Sequence, residues 1–157
     1  MTMLSAVLLP GLLNAAEVDA LTERALADAF GPRRFHNRPD DPLMGILHES
    51  IQPTVEAALG VPMTPVTCFF RVYEARSIMA THTDFAPCDV TVSVGVASRL
   101  PEGYDGWPLI VDGEPLVLPP GAGVAFAGLP HGRDPFDVPD GCYQVQALFF
   151  YSLSESG

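Results

Sequence analysis

The feature that most limits how this chain can fold is a change of texture at Val61. Beyond it, short runs rich in Val, Phe and Tyr are separated by Gly, Pro and Asp, the pattern of antiparallel strands joined by tight turns. Strands are expected at Val66–Tyr73, Ile78–Thr83, Val90–Val96, Leu109–Val111, Pro115–Leu118, Gly123–Ala127 and Tyr143–Ser152. Asp112-Gly113 has hairpin-turn chemistry, because both residue types tolerate positive φ.

The segment before Val61 reads as helical. Ser5 to Leu9 forms a short strand stopped by Pro10-Gly11. Asn14 and Glu17 have the spacing of a capping box, and Val18, Leu21, Ala25, Leu26 and Ala29 then recur at helical intervals until Gly31-Pro32. Pro32 to Asp41 reads as a basic loop with Arg33, Arg34, His36 and Arg38. Asp41-Pro42 starts a second helix, with aspartate as cap and proline in the first turn. Its apolar stripe is Leu43, Ile46, Leu47, Ile51, Val55 and Leu59, and Gly60 closes it; Pro53 should kink or split it for want of an amide. Two helices followed by this many strands point to a mainly β fold with N-terminal helices, a double-stranded β-helix or jelly roll. The 157 residues suit a single domain, helical over about 1–60 and β over about 61–157, large enough to bury a proper core.

Composition narrows the function class. A net charge of −11 makes a nucleic-acid backbone an unsuitable partner, since no extended basic surface can neutralise its phosphates. All eight basic residues are arginines. Cys68, Cys88 and Cys142 show no paired spacing, which reads as reduced thiols and a cytoplasmic location. The apolar start, Met1 to Leu13, has no basic flank and runs into a helix instead of a cleavage site, so no secretion signal is expected. No apolar run approaches bilayer length, and no membrane partner is expected.

The chemistry concentrates at Thr81-His82-Thr83-Asp84. Alternate side chains on a strand share a face, so His82 and Asp84 point the same way, an imidazole beside a carboxylate. That pair suits a divalent metal of intermediate hardness and needs a third ligand. Of the four histidines, His131 stands in Leu129-Pro130-His131-Gly132-Arg133, between a glycine-rich turn and the last apolar strand. Two histidines and one carboxylate on one side of an octahedron form the ligand set of non-haem Fe(II) oxygenases, with the other positions open.

The order Phe70-Arg71-Val72-Tyr73, His82-x-Asp84, Trp107-Pro108-Leu109, Pro119-Pro120-Gly121 and His131-Gly132-Arg133 resembles the Fe(II)- and 2-oxoglutarate-dependent dioxygenases, especially their small prolyl-4-hydroxylase-like bacterial members. The likeness spans most of the chain, including Leu9-Pro10-Gly11-Leu12-Leu13. It implies that His82, Asp84 and His131 hold Fe(II), that 2-oxoglutarate is the cosubstrate, and that O2 is consumed. The cosubstrate would be decarboxylated to succinate and CO2 while an unactivated C–H bond of a small molecule or amino-acid side chain is hydroxylated. Relatives that halogenate lack the carboxylate ligand, and Asp84 is present.

The chain departs from the family at the far carboxylate of the cosubstrate. Most members place a basic residue at the start of the final strand, whereas Asp140 to Gln146 contains none. Arginine grips a carboxylate through two parallel charge-assisted bonds. Arg133, on the face of His131, is the first candidate for that part; Arg71 is the second, with Tyr73 as a hydroxyl donor beside it. Gln144 and Gln146 would line the pocket or touch substrate. Substrate contacts are expected from the Pro32–Asp41 loop, the Arg99–Trp107 loop and the segment near Phe85.

Other readings of the same residues stand beside these. His82 also fits a structural role, with Asp84 capping the loop at Phe85-Ala86-Pro87. Arg133 with Asp134 fits a surface ion pair, and Arg71 and Tyr73 fit strand bracing and core. Trp107 fits packing at the start of a strand, His36 a loop, and His48 a helix surface. Cys68 and Cys142 read as core thiols. A cupin-like jelly-roll metalloenzyme with the same His/Asp/His site but no 2-oxoglutarate, or a non-catalytic binding module, would share this frame.

Overall fold

The computed structural model describes residues 6–27, 35–38 and 41–153. Its elements in chain order are β1 (Val7–Leu9), α1 (Ala15–Leu26), β2 (Phe35–Arg38), α2 (Pro42–Leu59), β3 (Met63–Glu74), β4 (Met79–His82), β5 (Val90–Arg99), β6 (Leu109–Val111), β7 (Glu114–Leu116), β8 (Gly123–Ala127), β9 (His131–Arg133) and β10 (Tyr143–Leu153).

Local chemistry sets the helices. Asn14 accepts from the Glu17 amide at 2.8 Å while Glu17 accepts from the Asn14 amide at 2.9 Å, a reciprocal cap that satisfies two orphan donors. Val18, Leu21 and Ala25 then face the core. The expected later positions, Ala29 and Gly31-Pro32, lie outside the described residues, as do Arg33 and Arg34. Asp41 caps α2 by accepting from the Leu43 amide at 2.9 Å, and Gly60 ends it at φ 73°, a left-handed position natural to glycine.

Four expectations for this half need correction. Pro53 does not split α2; the proline is exposed, so the carbonyl deprived of its amide partner lies where water can serve it. Ile46 is 64 % exposed, and the buried stripe includes Met44 and His48 instead. His48 is therefore no surface residue: its Nε2 meets the Phe150 carbonyl at 2.9 Å, and its ring lies 4.6 Å from that of Tyr151. The stretch read as a loop contains β2, which pairs with β3.

The strands form two antiparallel sheets, a jelly roll with the double-stranded β-helix expected. One sheet has six strands in the order β1-β8-β5-β10-β3-β2, and the other has four in the order β4-β9-β6-β7. The expected strands are all present with modest shifts of their ends, and Asp112 (φ 49°) and Gly113 (φ 82°) make the β6–β7 turn. β9 was not among the expected strands. It is three residues long with Gly132 at its centre, too short for alternation to announce it.

Alternation divides the six-stranded sheet into two unlike faces. Val90, Val92, Val94 and Val96 of β5, Val145, Ala147 and Phe149 of β10, and Cys68, Phe70 and Val72 of β3 pack into one apolar cluster with the helices. The intervening residues (Thr91 and Ser93, Gln144 and Gln146, Arg71 and Tyr73) turn the other way, toward the four-stranded sheet. Two smaller apolar clusters lie apart from the main core: Leu109, Val111, Val124, Phe126 and Leu129, and Tyr73, Ala75, Trp107, Phe136 and Val138.

Candidate metal centre

β4 and β9 lie side by side with His82 directly opposite His131. Gly132 permits this: a Cβ there would sit 2.8 Å from the Cα and N of Thr81, closer than a side chain can approach a backbone. The chain passes beyond β4 and brings Asp84 back beside both rings. Ligand atoms of His82, Asp84 and His131 all lie within 4.8 Å of one another, so the structure gathers the three residues expected at a metal.

Hydrogen bonding fixes how the imidazoles present themselves. His82 Nδ1 lies 2.8 Å from the Ala80 carbonyl, and His131 Nδ1 lies 3.0 Å from the Leu129 carbonyl. A carbonyl can only accept, so each Nδ1 carries a proton, which leaves Nε2 as the nitrogen each ring can offer to a metal. Those Nε2 atoms face the Asp84 carboxylate, at 3.6 Å from Oδ1 for His82 and 3.4 Å from Oδ2 for His131. Two ring nitrogens and a carboxylate thus face one another across a space that a cation could occupy. Burial, the largest influence, lowers the pKa of His131, which favours the neutral ring a ligand must be. Two imidazole nitrogens and a carboxylate oxygen fit Fe(II) or a similar divalent ion. His131 is buried and His82 exposed, so the centre opens to solvent on one side.

One neighbour of the cluster is not among the residues expected there. Thr91 of β5 is buried, and its hydroxyl donates to Asp84 Oδ2. The signal was the alternation within Val90-Thr91-Val92-Ser93-Val94, which sets polar side chains opposite the valines.

Arg133 lies on β9 two residues past His131 and is 7 % exposed, so it makes no surface ion pair. Its guanidinium donates to the Trp107 carbonyl and stacks over the Trp107 ring at 4.8 Å, and its buried Nε has no hydrogen-bond partner. Burial brings its pKa down to about 10, leaving it cationic at neutral pH. It lines a cavity of about 170 Å³ together with Trp107, Ser98, Gln144 and Gln146. Gln144 donates to Gln146 at 2.7 Å, and Gln146 to Ser93 at 2.9 Å, a neutral relay along one wall.

Arg71 is half-buried and stacks on Phe69 (5.1 Å) and Tyr73 (5.8 Å), opposite Gln146 in the sheet. Tyr73 is buried with its ring edge-on to Trp107 at 5.0 Å and its hydroxyl 3.9 Å from Met79 Sδ. Trp107 packs as expected, stacked on Phe136 at 4.3 Å with its Nε1 donating to the Asp134 carbonyl at 2.9 Å. Cys68 is buried, Cys142 packs beside the Trp107 cluster, and Cys88 is half-buried; all three thiols are free. Phe85, next to Asp84, is 88 % exposed.

No protein-family model matches the sequence, and no curated protein matches it. Solved structures do resemble the fold. The viral collagen prolyl hydroxylase of Paramecium bursaria Chlorella virus-1, in a 2-oxoglutarate complex, aligns with a TM-score of 0.70 at 13 % identity, covering 96 % of each chain. HygX from Streptomyces hygroscopicus, with nickel, 2-oxoglutarate and hygromycin B bound, gives 0.72 at 14 % identity over 96 % of this chain and 83 % of that one. A Pseudomonas putida prolyl-4-hydroxylase gives 0.68 at 16 % identity over 94 % and 91 %. The chain has the fold of the 2-oxoglutarate- and Fe(II)-dependent oxygenases, with a His/Asp/His cluster between its sheets.

Proposed function

We propose that this protein is an Fe(II)- and 2-oxoglutarate-dependent oxygenase that hydroxylates an unactivated C–H bond of a small molecule or an amino-acid side chain. The observation that carries the proposal is the convergence of ligand atoms from His82, Asp84 and His131 to within 4.8 Å of one another, a donor set suited to divalent iron. His82, Asp84 and His131 would hold Fe(II), and the bound iron with 2-oxoglutarate would supply the oxidising chemistry, consuming O2 and releasing succinate and CO2. The 2-oxoglutarate bound in HygX and in the viral hydroxylase supports the same cosubstrate here.

The remaining roles fall to this chain's own groups. Arg133 is the one buried cation lining the cavity, with an unpaired Nε–H, and an anionic carboxylate is the partner it lacks. Arg71 and Tyr73, stacked on each other nearby, are the second candidates for that carboxylate. The Gln144–Gln146–Ser93 relay offers a neutral, ordered polar wall, and the Trp107 and Phe136 rings keep water from the guanidinium. Exposed His82 and Phe85 mark the side from which substrate reaches the centre. The free thiols support a reducing, cytoplasmic setting, and no helix among the described residues is long and apolar enough to cross a membrane.

The test is anaerobic addition of Fe(II) and 2-oxoglutarate. A weak visible charge-transfer band, followed by succinate when O2 is admitted, is expected; neither appearing while a known oxygenase shows both would refute the proposal. A second reading, a cupin-like metalloenzyme without 2-oxoglutarate, is favoured by the neutral glutamines at the start of β10. Calorimetric titration of 2-oxoglutarate into metal-loaded protein separates the two.

A further inference from the structure

Asp84 lies in no strand or helix; it follows β4 in a loop, partly exposed, and nothing in its own backbone holds its carboxylate toward the histidines. The torsion that rotates a carboxylate is broad and soft. What holds it comes from the other sheet. Thr91, one residue into β5 and 3 % exposed, donates its hydroxyl to Asp84 Oδ2, the oxygen 3.4 Å from His131 Nε2. We propose that Thr91 is the positioning residue for the metal centre: its hydroxyl holds the Asp84 carboxylate in the orientation that completes the His82/Asp84/His131 set. This rests on the oxygenase reading of that set.

The surrounding geometry makes the tether firm. The loop from Asp84 to β5 is cross-braced by the Cys88 amide donating to Phe85 O at 2.8 Å and the Asp89 amide to Pro87 O at 2.9 Å. Asp89 in turn accepts from the Leu153 amide at 2.9 Å, pinning the start of β5 to the end of β10. Thr91 is then carried by a central strand, paired on both sides with β8 and β10. With one lone pair of Oδ2 engaged by the hydroxyl, Oδ1 faces His82 Nε2 and the rest of Oδ2 faces His131 Nε2. Groups that orient a ligand in this way contribute to metal affinity without touching the metal. The contact also joins ligands of the four-stranded sheet to the six-stranded one, so the centre is held against sliding of the two sheets.

The experiment compares wild type, Thr91→Val and Thr91→Ser by anaerobic Fe(II) titration and by the visible spectrum of the Co(II)-substituted protein. Valine keeps the shape and removes the hydroxyl, whereas serine keeps the hydroxyl. Thr91→Val should weaken metal binding by about 10- to 100-fold and shift the Co(II) bands, with Thr91→Ser close to wild type. Valine binding metal as tightly as wild type, or serine losing as much as valine, overturns the proposal while the oxygenase reading stands. A wild type that takes up no metal overturns both.

Discussion

Gly132 lies against Thr81 so closely that a single added carbon would be 2.8 Å from the threonine's Cα and N. That approach is what lets β9 deliver His131 opposite His82. Replacing Gly132 with alanine forces one strand away from the other. Overpacking of this kind costs roughly 1–3 kcal/mol. Gly132→Ala should therefore lower the unfolding midpoint of the metal-free protein and weaken metal binding as well, as read by thermal unfolding with and without Ni(II). A variant with wild-type stability and affinity would show that the close approach has no such part.

On the proposed reading, Arg133 should affect stability and binding in opposite directions. Its guanidinium is buried without a carboxylate partner among the described residues, so desolvation is poorly offset in the ligand-free protein. Arg133→Met keeps much of the volume and removes the charge. Its unfolding midpoint in denaturant should equal or exceed that of wild type. Its 2-oxoglutarate affinity should fall by about 2–5 kcal/mol, the usual cost of losing one partner of a buried charge pair, while metal affinity is kept. Calorimetry on metal-loaded protein checks this; undiminished 2-oxoglutarate binding would move the carboxylate contact to Arg71.

How much of this was legible beforehand follows the strength of local signals. Asn14–Glu17, Asp41-Pro42 and Asp112-Gly113 each carry their structure in two to four residues, and all three formed as read. His82 and Asp84 were visible through their spacing, and the structure sets His131 beside them, but Asp84 lies in the loop after β4 and not on the shared strand face that alternation implied. β9 and β2 were not visible, because each is short and is made a strand by its neighbours in the sheet, not by its own propensity. His48 was misplaced for a related reason. A histidine at a helical core position reads as polar, and only the chain's return at Phe150 and Tyr151, about a hundred residues later, supplies the carbonyl and ring that bury it.

That buried histidine makes a pH prediction. Desolvation, outweighing the Phe150 carbonyl and the charge of Glu49, lowers the pKa of His48 in the folded state below its usual 6.5. The unfolded chain therefore binds the proton first. The contribution is fully present above about pH 6.5 and is lost as pH falls toward the folded-state value. Urea midpoints of the metal-free protein should drop between pH 7.5 and 5.5, and His48→Gln should show a smaller drop. His131 shifts in the same direction but is common to both proteins, so it cancels in the comparison. Equal drops would mean that His48 does not titrate with folding.

The most direct test of the account is anaerobic titration of Fe(II) into wild type and into His82→Ala, Asp84→Ala and His131→Ala, with stoichiometry read by calorimetry. One ion per chain in wild type, and loss of that site in each variant while the unfolding transition is retained, is the predicted result. Wild type binding no better than the variants would contradict the claim that these three side chains converge on one metal.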